Sequence, residues 1–425
     1  MKKNLFANLP LVLLAAAIAL SPSFSAGTFL GGKIIEIRIE DFLIIILGLI
    51  WIADFLISGR KKVEKPPLFF PILAWLGVGF FSILTNWIFG NIGFSRGFFY
   101  FLKEIEFFII YFYVFYHIKS IDSAKFLIKL WVVLGLMNVG WVIYQVIRGS
   151  SFVTKFGFRS GEYFTSAIGE WGVFPTGAFF LMIFVFLFNI LLYYFLNLNI
   201  SVFKKGVLMV VILGPIIGII GSASKTSFLA LVLAITLSLF LLFLRRKNLK
   251  ILLAIILISI FIFSVCVFAF QSIPEAGKRI SYIFNFRNLL LNYEKGRLEP
   301  VIKPVFKEAL QGPLYLPFFG LGKGYVTEAH NQYLRNFIET GIIGSLIFFI
   351  LIFAIIKKSW QGFSKNQDKF TIGLSAGFLV ATLTMLFLSL ATEPFIVVKP
   401  SEVYWFFAAL TMAVLSIKAK EKYAK

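Results

Sequence analysis

The sequence predicts an all-α protein: a polytopic transmembrane bundle of about twelve helical spans, with one long outer loop that carries an amphipathic helix. Apolar stretches, most of them near the roughly 20 residues that a helix needs to cross about 30 Å of hydrocarbon, occupy most of the 425-residue chain. Hydrophobic residues make up 59% of it, and Phe alone numbers 54. Only helices and closed barrels satisfy the backbone in lipid, and these stretches are too long and continuous for barrel strands.

The spans fall near 5–22, 41–58, 67–88, 96–116, 124–147, 172–196, 206–221, 226–244, 249–270, 333–356, 370–391 and 402–417. The first follows Met1-Lys2-Lys3 and runs into Ser-Phe-Ser-Ala, which imitates a secretory signal peptide. A retained helix is expected, because the alternation of loop charge works with it in place. Arg60, Lys61, Lys62 and Lys65 follow span two, Lys204-Lys205 span six, and Arg245-Arg246-Lys247 span eight. Lys357-Lys358 follow span ten, and Lys418, Lys420, Lys422 and Lys425 lie in the tail. Under the positive-inside rule these segments and both termini face the cytoplasm. The organisation expected is nine spans over 1–270, an outer loop over 271–332, and three spans with a cytoplasmic tail over 333–425. No internal repeat at a fixed period is present.

The formal charge of +21 sits largely at the flanks of apolar spans, where Lys and Arg set topology and meet anionic head groups, so membrane lipids rather than nucleic acid are the expected partners. A single cysteine, Cys266, excludes an intrachain disulfide and a Cys-based metal site. Two histidines, His117 and His330, exclude a His-rich centre. Span four is unusual in holding Lys103, Glu104 and Glu106. Ionisable groups in a span face a cavity or a partner. Here they form a local Lys103–Glu106 pair at i, i+3, or they line a substrate site.

Two connections on the outer side are long: 148–171, with Lys155 and Arg159, and 271–332. After Arg297, the apolar residues Leu298, Val301, Ile302, Val305, Phe306, Ala309 and Leu310 have helical spacing. Pro300 and Pro304 limit the regularity of its N-terminal end, and Gly312-Pro313 closes it. Such a helix lies along the membrane surface or over the bundle. Outward Lys and Arg run against the topology bias. They serve solubility and head-group contact, or they form an electropositive cavity for a phosphate-bearing lipid.

The sharpest stretch is Phe319-Gly320-Leu321-Gly322-Lys323-Gly324, followed by Ala329-His330-Asn331-Gln332-Tyr333-Leu334. No strand precedes the glycines and no helix follows them directly, so they are not a dinucleotide fingerprint. His330 is the one histidine on the expected outer side, and an imidazole takes a proton near neutral pH.

These residues, with Glu339-Thr340-Gly341-Ile342-Ile343-Gly344, resemble the signature of the O-antigen ligase and O-antigen polymerase superfamily. Gly221-Ser222-Ala223-Ser224-Lys225 resembles that family's Ser-x-Ser-Arg element, with Lys in place of the usual Arg. Gly296-Arg297 resembles its second arginine. The resemblance implies a GT-C type membrane glycosyltransferase. Its donor would be a glycan linked to undecaprenyl pyrophosphate, and its acceptor a lipid A-core or another glycan. The site would lie on the outer face of the bacterial cytoplasmic membrane. It implies His330 as base and Arg297 and Lys225 on the pyrophosphate; Lys155, Arg159, Lys323, Asn331, Tyr333 and Glu104 are the residues expected around the substrate. No Asp-x-Asp pair occurs, so no metal and no cofactor is expected. A lipid-linked oligosaccharide flippase or other transporter is the competing expectation, although the distinctive polar residues cluster on one side rather than around a midplane site.

Overall fold

The computed structural model describes residues 8–28, 34–57, 65–148, 166–168, 173–195, 202–248, 303–326 and 329–423, and single positions 253, 257, 260, 264 and 268. Helix α1 (Leu9–Leu20) leads into a hairpin of β1 (Ser23–Thr28) and β2 (Ile34–Arg38), then α2 (Ile39–Ile57), α3 (Phe69–Ile88), α4 (Phe94–His117) and α5 (Ile121–Arg148). After these come α6 (Val173–Phe195), α7 (Val202–Gly221) and α8 (Lys225–Arg246). Two short helices, α9 (Lys303–Gln311) and α10 (Leu316–Phe319), precede α11 (Gln332–Lys365), α12 (Lys369–Leu388) and α13 (Val398–Tyr423).

The chain is a multi-pass helical membrane protein. Among the described residues, seven helices are long and apolar enough to cross a membrane: those spanning Phe69–Ile88, Ile121–Arg148, Phe174–Tyr193, Lys225–Arg246, Gln332–Lys365, Lys369–Leu388 and Val398–Glu421. Of the other five stretches in the expected twelve, Leu9–Leu20 and Gly206–Gly221 are apolar but shorter. Helix α2 carries Glu40, Asp41 and Asp54, and helix α4 carries Arg96, Lys103, Glu104 and Glu106, more ionisable groups than a lipid-crossing stretch usually holds. The stretch 249–270 lies almost wholly outside the described residues.

Helices α6 and α12 form the centre and are almost wholly enclosed. Gly373 and Gly377 let their backbones approach: a Cβ at Gly373 would stand 2.9 Å from Ile190 Cα, and one at Gly377 would stand 3.3 Å from Phe186 Cα. Small residues serve helix contact in lipid, where apolar side chains gain little by leaving the solvent. Around this pair lie α7, α8, α11 and α13, and the α3–α4 pair packs against α11 and α13. The exposed large apolar residues, such as Phe70, Phe81 and Trp87 on α3 and Leu346, Ile350 and Phe353 on α11, face outward, as a lipid-facing surface requires.

The expectation of a purely helical chain needs one local correction. Ser23–Thr28 and Ile34–Arg38 pair as antiparallel strands, with Ser23 opposite Arg38 and Phe24 opposite Ile37. The cause is legible in Ile35-Glu36-Ile37-Arg38, where apolar and polar residues alternate with the period of a strand after Gly31-Gly32. The amphipathic helix is present over Lys303–Gln311, and the rest of its expected length, before Lys303, lies outside the described residues. Gly312 N–H closes it on Glu308 O at 3.0 Å.

Candidate functional site

The glycine-rich stretch is a backbone clamp. Helix α11 is broken at Gly341, whose φ of +66° and ψ of −164° lie outside the helical region. The break frees carbonyls that an unbroken helix would use. Leu321 N–H donates to Ile338 O at 2.7 Å, and Gly322 N–H to Glu339 O at 3.2 Å. Ser82 Oγ of α3 lies 2.6 Å from Glu339 O and 2.8 Å from Phe319 O, and Asn86 Nδ2 donates to Gly320 O at 2.9 Å. The two chains touch so closely that a Cβ at Gly320 would stand 2.5 Å from Glu339 C, and one at Gly341 would stand 2.3 Å from Phe318 O. Gly320, Gly322 and Gly324 all have positive φ, at 71°, 98° and 77°. This is why the stretch needs glycine: for close approach and left-handed backbone rather than for a nucleotide.

The clamp drives Lys323 into the bundle, where it is 2% exposed. Its Nζ meets Glu104 Oε1 of α4 at 2.5 Å and lies 4.3 Å from the centre of the Trp75 ring. Gly79 leaves the room: a Cβ there would stand 3.2 Å from Lys323 Cε. Lys323 and Glu104, each expected beside substrate, are thus paired with one another. Lys103 turns the other way, to Asp41 Oδ2 at 2.7 Å and Glu106 Oε2 at 3.1 Å, so its local pairing with Glu106 is present and is extended by α2.

Arg335, one turn into α11, is 1% exposed. It bridges Glu339 Oε1 at 3.0 Å and Glu393 Oε2 at 2.5 Å, and its guanidinium lies 5.5 Å from the centre of the Tyr100 ring. Glu393 comes from the short connection between α12 and α13. Its other oxygen accepts the backbone N–H of His330 at 2.6 Å and that of Ala329. His330 therefore sits, half-buried and with φ of +53°, on a turn held by a carboxylate that is itself held by Arg335. Histidine tolerates this left-handed region better than most residues. Asn331 caps α11, accepting from Leu334 N–H at 3.0 Å and donating to Leu390 O at 3.1 Å. Tyr333 hydroxyl donates to Leu386 O at 2.7 Å. Asn331 and Tyr333 thus tie the helix start to the end of α12.

Outside the spans, Tyr325 hydroxyl donates to Glu308 Oε1 of α9 at 2.8 Å. Burial, then the hydrogen bond to Glu308 and its charge, push the phenol up to about 12, so it remains a donor at neutral pH and ties the amphipathic helix to the clamp. Phe306 adds a ring contact with Phe337 at 5.2 Å.

Lys225 is the first residue of α8. Ser224 caps that helix, with its Oγ accepting from Ser227 N–H at 3.3 Å, and Ala223 before it has φ of +53°. Gly177 of α6 lies against the cap, since a Cβ there would stand 2.6 Å from Ser227 Oγ. The packing partners of α8 are chiefly α6 and α12, so Lys225 stands on different elements from the Lys323–Glu104 pair. Arg297, Lys155 and Arg159 lie outside the described residues, as does Glu328. Among the described residues no three His, Cys, Asp or Glu are grouped so as to hold a metal ion.

Electrostatically the described network is not a cationic pocket. Lys323 and Arg335 face Glu104, Glu339 and Glu393, two cations against three carboxylates. Positive charge for an anionic ligand must come from other groups. Reading the sequence singled out Lys323, Glu104 and His330 but missed Glu393 and the bridging role of Arg335. The signal was there: an arginine in the first turns of an apolar helix requires a carboxylate, and Glu393 is the acidic residue of the connection between the last two helices. No protein-family model matches the chain, and a search of curated proteins finds no match.

Proposed function

We propose that the protein is a membrane glycosyltransferase that moves a glycan from an undecaprenyl-pyrophosphate-linked donor to an acceptor hydroxyl at the outer face of the bacterial cytoplasmic membrane. O-antigen ligases, with lipid A-core as acceptor, and the related polysaccharide polymerases are the enzymes its signature resembles. The observation that supports this reading most is that three of the resembling segments, around Gly320, His330 and Gly341, meet. Gly320–Gly322 clamp onto Ile338–Gly341, and the turn of His330 is fastened to the same helix through Glu393 and Arg335. A histidine at the mouth of a bundle, displayed on a braced turn, suits proton transfer.

In the proposed reaction the acceptor oxygen attacks the anomeric carbon as His330 takes its proton. The bond from that carbon to the pyrophosphate oxygen breaks, and direct displacement inverts the configuration. Charge develops on the departing undecaprenyl pyrophosphate, where fixed cations stabilise the transition state. Arg297 and Lys225 are assigned that role. Because Lys323 and Arg335 already have carboxylate partners, they brace the site rather than bind phosphate.

The test is transfer by purified full-length protein from lipid-linked donor to lipid A-core or to a second lipid-linked repeat. His330→Ala should lower transfer by about 10²–10⁴-fold with donor binding retained. Arg297→Ala should nearly abolish it, and Lys225→Arg should keep most activity. Glu393→Ala, which removes the carboxylate oxygen that accepts both backbone N–H groups at the His330 turn, should approach the His330→Ala rate. Movement of lipid-linked oligosaccharide across proteoliposomes without any joined product would replace the transferase reading with that of a flippase.

A further inference from the structure

The chain between the amphipathic helix α9 and the clamp descends along α3. Tyr315 stacks on Phe89, one residue past the end of α3, with 4.4 Å between ring centres, and its hydroxyl accepts from Asn91 Nδ2 at 2.8 Å. Four residues later the Phe319 ring meets Phe81 at 5.0 Å, and its carbonyl lies 2.8 Å from Ser82 Oγ. Phe81 is seven residues inside the Ile88 end of α3, so at roughly 1.5 Å per residue α10 sits about 10 Å below that end. Helix α11 gives a second measure: the backbone of Phe318 lies against Gly341, nine residues from the Gln332 start of α11 and about 14 Å along it. With 20 residues, α3 is only just long enough to cross the apolar layer, so the depth of α10 falls inside the hydrocarbon.

Backbone at such a depth requires that its polar groups be satisfied by protein. Here they are. Phe318 and Phe319 N–H donate to Tyr315 O at 3.1 and 2.9 Å, and Gly320 N–H donates to Leu316 O at 2.7 Å. The carbonyls of Phe319 and Gly320 go to Ser82 and Asn86, and the N–H groups of Leu321 and Gly322 go to α11. A segment facing water could leave such groups to the solvent. What this segment turns outward is apolar: Leu314 is 87% exposed and Phe318 is 50% exposed. Through Tyr315 and Phe319 these two residues join the exposed stripe of α3, which runs from Phe70 through Phe81 to Trp87 and Ile88. Above them, α9 exposes Leu310, Lys303 and Lys307, while its one acidic residue, Glu308, is turned to Tyr325.

We propose that this segment is set into the membrane leaflet at the Ile88 end of α3. Phe318 touches the acyl chains, Leu314 lies shallower, and Lys303 and Lys307 stand among the phosphate head groups. The occupant of the apolar face is lipid, because the face continues the lipid-facing stripe of α3 without a break. Its order, from Phe81 and Phe318 through Trp87 to the lysines, is also the order a bilayer presents: hydrocarbon, interface and phosphate.

Nitroxide accessibility in the full-length protein tests this with no need of transfer activity, so its outcome is separate from that of the proposed function. Single cysteines replace Lys307, Leu314, Phe318 and, as a lipid-facing reference on α11, Phe353, in a Cys266→Ser background. The labelled proteins are placed in bilayer discs of phosphatidylethanolamine and phosphatidylglycerol. Collision with oxygen, which concentrates in hydrocarbon, is compared with collision with a water-soluble nickel chelate. The oxygen-to-nickel ratio should be lowest at Lys307→Cys, higher at Leu314→Cys, and close to the Phe353→Cys value at Phe318→Cys. Should Phe318→Cys fail to assemble, Leu314→Cys, whose side chain has little packing to lose, decides alone. Ratios at 314 and 318 no higher than at Lys307→Cys would overturn the proposal by placing the segment in water. Accessibility to neither reagent would overturn it too, by showing a protein cover, and dipolar broadening between labels would identify that cover as a second copy of the chain.

Discussion

Replacing Gly341 by Ala puts the clamp to its hardest test. At φ +66° and ψ −164° the residue occupies a backbone region that is essentially reserved for glycine, and holding a side chain there costs about 1–3 kcal/mol. The new Cβ would also stand 2.3 Å from Phe318 C and O, which are backbone atoms that cannot rotate away. Relief requires the loop to withdraw, with loss of the bonds from Leu321 N–H and Gly322 N–H, each worth about 0.5–1.5 kcal/mol net. Together these give about 2–6 kcal/mol of destabilisation. The assay is thermal unfolding of the purified full-length protein in one detergent, with Gly77→Ala as reference. A Cβ at Gly77 meets nothing within 4 Å, so alanine there, in a helix interior, should be neutral or mildly stabilising. Gly320→Ala attacks the same contact from the other chain, and the double variant should cost less than the sum, because one broken clamp cannot break twice. Equal melting temperatures for Gly341→Ala and Gly77→Ala would refute the clamp.

Glu104→Gln leaves Lys323 enclosed without its counter-charge and should cost about 3–5 kcal/mol in the same unfolding assay, whereas adding Lys323→Met should recover much of the loss; a double variant no better than the single one would show that the pair is not coupled. Thiol labelling of single engineered cysteines in intact cells should find positions beside Lys295 reactive from outside and positions beside Lys247 protected, and the opposite pattern would put the proposed donor site on the wrong side of the membrane.

What the sequence reveals and what it hides divide along a physical line. Helical spans follow from local composition, so the ends of α3, α4, α8 and α12 fall within a few residues of their expected positions. The hairpin at 23–38 is short and lies between two apolar helices, where the eye reads a connection and the period-two signal spans few residues. The clamp glycines were visible as a pattern, but their reason, a backbone contact between residues some 20 apart, depends on the break at Gly341, which no local propensity announces.

Charge pairing was the least legible feature, because it is decided by which helices become neighbours. Lys103, Glu104 and Glu106 are adjacent on α4, yet a helix turns about 100° per residue, so Glu104 points away from the other two. That rotation separates two buried networks, with Glu104 serving Lys323 and the clamp while Lys103 and Glu106 serve Asp41 and the hairpin. The same argument assigns the anion chemistry by subtraction. A lysine in a glycine-rich loop looks like a phosphate ligand in a sequence, but once Glu104 lies 2.5 Å from it, its charge is already used. Recruiting Lys323 to a pyrophosphate would strand Glu104 in an enclosed site. Lys225 opens a helix whose own dipole favours an anion at its N-terminus, and that placement supports the role assigned to it in the proposed reaction.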